Sequence, residues 1–425
     1  MADIYENTGA CVASDDFRGM FRHGAFDDIV YNIFRFDFAH ADEAKASEVT
    51  DVFGRVFWTK ESIRLLSQES LKAVEKWARS GGSVGLFAYG RCLCVLRPDA
   101  GWGESSVECF RKSAEAGNND ARVALSDAFL YGDLGYVDYE KAGQYLREAY
   151  EAGSPYAVWR SLRQMLYGSR IMQKDTASVG RMAAQLVEMY PDDPFWHYLR
   201  GSAAAELEGL TRAKDDYGYA AENGLVLAWP EFAIASSCND EYHVVDERRY
   251  LELSERGAEA GSSLCRLTLL DAGKPDSSKA DFWTSLRRYV DGMEKLAASG
   301  CELAAISLGD IYRDGDFGMR KDPAKAYGLY SQAAAFDDYD AYERLYGLMR
   351  DGLVERNQDY MDMCALRCTR LGSEALLKET VDSYRAGRLA PFAAEIERYY
   401  VPELEESEAD DDDGPDDDGR YDAYA

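Results

Sequence analysis

Histidine is scarce in this chain: 425 residues hold four of them. That leaves little material for histidine-based catalysis or metal ligation. Basic charge is short as well. Lys and Arg number 48 against 77 Asp and Glu, a formal net charge of −29. Such a balance argues against direct binding of DNA or RNA through phosphates, and equally against docking on an anionic membrane. No run of about 18 apolar residues occurs, so no membrane span is predicted. Proline, at 10, is sparse beside 36 glycines, so glycine punctuates the turns. The opening Met1-Ala-Asp-Ile-Tyr-Glu is acidic and lacks a basic segment followed by an apolar one. Taken with an odd and modest count of nine cysteines, this predicts reduced thiols and a cytoplasmic location.

What is present is ample core material. Hydrophobic residues make up 46% and charged residues 29%, which excludes global disorder. The length fits about three domains or one extended array. Glycine spacing decides between them. Gly81, Gly117 and Gly153 stand 36 residues apart, and Gly224, Gly261, Gly300 and Gly372 continue the series. The period is about 36 residues over about eight units, the signature of a helix–turn–helix array. The boundaries near Glu188–Pro191 and Phe336 lack the glycine but fall in phase.

Two units carry the fullest pattern. One runs Ala121-x-x-x-Leu125-Ser126-x-x-Phe129-x-x-Gly132, then Lys141-Ala142 and Ala149. The other runs Ala304-x-x-x-Leu308-Gly309-x-x-Tyr312-x-x-Gly315, then Lys325-Ala326 and Ala333-Ala334. Apolar positions at i, i+4 and i+8 are helical spacing. The small residue after the Leu lets a neighbouring helix approach. Asp322-Pro323 reads as a helix start, with Asp as cap and Pro at the first helical position.

This pattern resembles the Sel-1-like repeat family, a relative of the tetratricopeptide repeats. Leu308, Gly309, Tyr312, Gly315, Lys325 and Ala326 carry the resemblance in one unit. Ala121, Leu125, Phe129, Gly132, Lys141 and Ala142 carry it in the other. It covers residues 81–372. It implies an all-α fold, a right-handed α/α superhelical solenoid with a concave binding face. It also implies an adaptor that assembles other proteins. Ser126 departs from the small glycine, and the glycine-poor stretch between Gly153 and Gly224 departs from regular spacing.

The ends differ from the middle. Residues 1–80, dense in aromatics from Phe17 to Trp58, are expected to form an N-terminal helical cap on the first repeat's apolar face. Residues 373–402 are expected to close the array as capping helices. From Glu403 the composition turns acidic, and residues 403–425 sum to −11. They are expected to form a disordered acidic tail. The remaining chain still carries −18, so the folded body is acidic too.

Catalytic and metal patterns fail on inspection. Calcium-loop registers centred on Gly414 or Gly419 lack the required first and twelfth ligands. Cys92-x-Cys94 and Cys364-x-x-x-Cys368 lie too many repeats apart to share one zinc ion, and read as buried structural cysteines. Cys92 and Cys109 sit where some secreted relatives place a disulfide, but no second unit repeats the arrangement. Gly81-Gly82-Ser83-Val84-Gly85 has no following Lys-Ser or Lys-Thr, so it is a turn rather than a phosphate loop. His40 and His197 are the residues around which a degenerate enzyme site would have to form. No catalytic constellation emerges, and no cofactor is expected.

The family resemblance puts the first helix of each unit on the concave face. With the Leu as slot 0, slots +2 and +6 point away from the core at 100° per residue. Slot +2 supplies Arg91, Asp127, Arg163, Ser202 and Asp310; slot +6 supplies Tyr131, Tyr167 and Asp314. These eight are the candidate partner-binding residues. The expected function is a non-enzymatic adaptor that binds a basic segment of another protein. The alternative is an acidic inhibitor that mimics nucleic acid and sequesters a basic nucleic-acid-binding protein.

Overall fold

The structure is a computed structural model that describes residues 55–79, 81–96 and 104–411, with backbone alone for 104–105 and 408–411. Helices and turns account for the described residues, which contain no strand beyond two isolated bridges. Two compact units divide between Phe336 and Asp337.

The first unit opens with α1 (Lys60–Arg64) and α2 (Gln68–Arg79). Seven helix pairs follow. They are α3 (Ser83–Leu96) with α4 (Glu104–Glu115), and α5 (Asn119–Tyr131) with α6 (Tyr139–Glu151). Next come α7 (Pro155–Tyr167) with α8 (Thr176–Met189), and α9 (Pro194–Glu208) with α10 (Leu210–Glu222). Then α11 (Ala228–Ser237) pairs with α12 (Glu247–Glu259), α13 (Ser263–Ala272) with α14 (Phe282–Ala298), and α15 (Glu302–Asp314) with α16 (Pro323–Ala334). The second unit holds α17 (Tyr339–Arg350), α18 (Gln358–Arg370) and α19 (Leu377–Arg385). A π-helical turn, Ile396–Tyr400, then runs directly into α20 (Val401–Asp411).

Local chemistry starts these helices. Asn118, Ser154, Ser262, Asp322 and Asp338 each accept a hydrogen bond from the amide three residues on, a satisfied N-cap. Between pairs the chain turns through a left-handed residue. Gly81, Gly117, Gly153, Gly224, Gly261, Gly300 and Gly372 all have φ between 82° and 104°, a region glycine enters without steric cost. Where the glycine is missing at the 336 boundary, Asp337 takes φ 60° instead.

The small residue after the Leu is where the two helices of a pair touch. A Cβ on Gly309 would lie 2.4 Å from the Tyr330 ring, and one on Gly90 2.5 Å from Phe110. Ser126 replaces the glycine by donating to the Ala142 carbonyl at 2.7 Å.

Residues 55–66 do not behave as a cap on the first repeat. They run along first helices, from the middle of α3 past the N-terminal ends of α5, α7 and α9 to those of α13 and α15. The Phe57 carbonyl accepts from Arg91 of α3 at 2.9 Å. The Trp58 indole donates to Asp120 of α5 at 3.2 Å, stacks on Tyr156 of α7 at 5.1 Å, and meets Phe195 of α9 edge-on at 5.1 Å. Arg55 pairs with Asp193. Leu65 fills the space above Gly261, where a Cβ would lie 2.5 Å away. Arg64 reaches Glu302 of α15 at 2.9 Å. Val56, Phe57 and Ile63 are fully buried and Trp58 is 5% exposed. At about 1.5–3 kcal/mol for each buried side chain, this segment is part of the first unit's core. The expected cap residues 1–54 lie outside the described residues.

The first nine residues of the expected acidic tail, 403–411, are helical. Residues 403–411 continue α20, because Leu404 follows Ile396 and Tyr400 at helical spacing and all three are buried. Residues 412–425 lie outside the described residues.

Candidate partner-binding face

The eight predicted residues lie on first helices, but they do not share one open surface. Slot +1 faces the second helix of the same pair, and slot +2 is 100° further round, still under that helix's edge. Ser202 is therefore 3% exposed, donating to the Tyr198 carbonyl at 2.9 Å and accepting from the Tyr217 hydroxyl at 3.2 Å. Asp310 accepts from the Tyr330 hydroxyl at 2.6 Å and from Arg313 at 3.0 Å. Arg91 is turned onto the segment 55–66. The expectation that slot +2 points away from the core is corrected at these three positions.

Asp127 and Tyr131 are tied to the next pair. Arg160 of α7 donates to Asp127 at 2.9 Å and to the Tyr131 hydroxyl at 2.9 Å. The Arg163 guanidinium lies 5.6 Å over the Trp159 ring, and its Nε is buried without a hydrogen-bond partner. Asp314 is open and pairs with Arg313 at 2.6 Å, which holds its carboxyl below the usual value despite some opposing burial.

Tyr167, the last residue of α7, is 36% exposed. It sits with residues that the slot scheme missed. Tyr198 and Tyr217 lie 5.5 Å apart, ring to ring, and Ser202 accepts from the Tyr217 hydroxyl at 3.2 Å. Glu231, in the first turn of α11, acts on all three phenols. Burial first, and then in part that carboxylate, push the phenols above their ordinary value. Tyr217 belongs to a second helix and Glu231 to a degraded repeat, so no slot pattern points to either.

His197 is enclosed. One ring nitrogen lies 2.9 Å from Asp216 and the other 2.8 Å from the Pro191 carbonyl, with Tyr219 stacked at 4.0 Å. Arg200 also binds Asp216, at 2.6 Å. Both ring nitrogens are thus committed within the fold. Burial pushes the Cys364 and Cys368 thiols up to about 12, far from the range of reactive thiolates. His40 lies outside the described residues.

Helix pairs of one design, stacked in sequence order with no strand among the described residues, define an all-α repeat solenoid. Residues 103–118, 119–154 and 303–335 match the family model of the Sel1 repeat. The second and third segments are the two units with the fullest sequence pattern. Sel1 repeats generally serve as protein–protein interaction modules. No curated protein matches the chain. Among solved structures, a Sel1 repeat protein from Oxalobacter formigenes aligns at 17% identity and a TM-score of 0.36, over 73% of this chain and 89% of its own. The protective antigen c5321 of uropathogenic Escherichia coli, which displays an SLR fold, aligns at 16% identity and a TM-score of 0.35, over 98% and 100%.

Proposed function

We propose that this chain is a non-enzymatic scaffold that captures a segment of a partner protein on the first-helix face of its repeat array. One observation carries the reading: that face already holds a chain segment, residues 55–66, by contacts with four successive first helices, α3, α5, α7 and α9, and further ones at Gly261 and α15. Aromatic side chains insert between helices, and acids at helix starts, Asp120, Asp193 and Glu302, receive its polar groups. A partner uses the part left open, from Tyr167 to the acidic end at Asp314. The net charge favours a basic partner, raises its encounter rate and makes binding salt-dependent.

The test is affinity capture with the full chain at low and moderate salt, followed by pairwise binding of each retained protein in purified form. The expected result is a small reproducible set that binds in purified form and weakens when the exposed Asp314 is changed to Arg. Failure of every candidate to bind in purified form overturns the scaffold. Retained proteins that DNA or RNA displaces overturn it in favour of a nucleic-acid mimic.

A further inference from the structure

Three of the chain's eleven methionines meet around one cavity. It measures about 280 Å³ and is bounded by α6, the middle of α7, the turn that follows α7, and α8. Met165 of α7, Met172 of the turn and Met182 of α8 line it, beside Leu162, which is 1% exposed. The turn is pinned in place. Ser169 and Met172 exchange backbone hydrogen bonds at 2.8 and 3.2 Å, and the Asp175 amide donates to the Met165 carbonyl at 2.8 Å. Thioethers are polarisable and adapt to the outline of an apolar body.

Three further residues distinguish the cavity from a packing gap. Gly143, in the middle of α6, lines it. Glycine inside a helix costs stability relative to alanine, and here no neighbouring helix requires it. A Cβ on Gly143 would meet nothing within 4 Å, whereas one on Gly90 or Gly309 would strike a ring. The missing side chain leaves the cavity open instead. Ser161 of α7 also lines it, 7% exposed, and its hydroxyl has no hydrogen-bond partner among the described residues. A buried hydroxyl left without a partner is costly unless something reaches it. Arg147 of α6 stands at the rim, exposed. Among the described residues no carboxylate pairs with it, although Glu151 follows one turn later on the same helix and the chain's net charge is −29.

We propose that this cavity binds a small monocarboxylate whose apolar body lies against the methionines, with Arg147 and Ser161 as its polar partners. A cavity of about 150 Å³ holds benzene, so roughly twice that volume suits an apolar body of about eight carbon atoms. One arginine answers one negative charge, and its planar fork matches a carboxylate. The site is bounded by second helices and the middle of α7, so it goes beyond the scaffold reading and stands without it.

The test is isothermal titration calorimetry of the full chain with octanoate, which is expected to fill one saturable site. Octanamide keeps the shape and removes the charge, and is expected to bind about tenfold more weakly. Arg147→Gln lowers the affinity for octanoate to that for octanamide and leaves octanamide unchanged. Gly143→Leu fills the cavity and abolishes binding of both. Its melting by circular dichroism is expected to be no lower than the parent's, because leucine is the better helix former and its Cβ has room. Arg147→Gln, at an exposed position, carries the test should Gly143→Leu melt early. Arg212→Gln, at an exposed arginine of α10, leaves octanoate binding unchanged and excludes bulk charge as the cause. Absence of a saturable site, undiminished binding to a folded Gly143→Leu, or equal affinity for octanoate and octanamide overturns the assignment.

Discussion

Residues 55–66 and residues 389–404 both pack back onto helix pairs, each within its own unit, and they do so with opposite chemistry. The first segment is held by apolar burial, with Val56, Phe57, Trp58 and Ile63 inside and its ion pairs at the edge. The Arg64 and Glu302 side chains keep 14% and 17% of their exposure. The second buries Ile396, Tyr400 and Leu404 against Leu366, Leu377 and Val381, and adds an ion pair inside that core. Glu395 receives two hydrogen bonds from Arg370, at 2.8 and 2.7 Å, with both side chains at most 6% exposed. Tyr400 donates to the same carboxylate, and Phe392 lies under the guanidinium. Apolar contact tolerates small shifts, whereas a bidentate buried pair is satisfied in one geometry only. The 55–66 segment is therefore fastened by area, and the 389–404 segment by register.

Substitutions at the two segments break that comparison with the largest effects. All seven tryptophans precede residue 337, so tryptophan fluorescence follows the first unit while far-UV circular dichroism follows both. Trp58→Ala removes a ring packed against Tyr156 and Phe195 and costs about 3–5 kcal/mol. In urea it is expected to move the fluorescence transition to lower concentration. Glu395→Ala leaves Arg370 buried and uncompensated, also at about 3–5 kcal/mol, and is expected to move only the dichroism component that fluorescence does not see. Replacing both partners, Arg370→Met with Glu395→Leu, is expected to recover most of that loss, because no charge is then left unpaired. An unrecovered double variant shows that the pair is worth more than its desolvation cost.

The two segments also mark how far the sequence was legible. The repeat was readable because its glycines are imposed by backbone geometry: each inter-pair glycine has a left-handed φ. The slot after the Leu was readable because Gly309 and Gly90 leave no room for a Cβ. The boundary near Phe336 was legible only by phase, because Asp337 adopts the left-handed turn without being glycine. The path of residues 55–66 was not legible at all. Its partners lie up to 276 residues away, and no local period encodes such pairings. At the other end, acidic composition concealed a helix whose one large apolar residue from 403 to 411 is Leu404. Among the slot residues, the exposure of Tyr167 followed from its slot. Tyr217 and Glu231 did not, because one comes from a second helix and the other from a repeat too degraded to register.

The smallest expected effect sharpens the comparison through pH. Burial opposes ionisation of Glu302, yet Lys60 and Arg64 together outweigh it and hold the carboxyl below its ordinary value of 4.5. A carboxyl depressed by folding contributes stability that is complete above its unfolded value and is lost as pH falls through its folded value. Between pH 7 and pH 5 this contribution is therefore constant, and acidification below 4.5 removes it. Glu302→Gln takes away the charge while keeping the shape. It is expected to cost about 1 kcal/mol at pH 7, since the pair sits at the edge of the segment rather than inside it. The measurement is urea midpoint against pH by tryptophan fluorescence, parent beside variant. The two curves are expected to run parallel above pH 5 and to converge as the pH falls below 4.5. Parallel curves throughout would mean that Arg64 and Lys60 hold the segment through packing of their stems, and that its fastening is apolar to the edge.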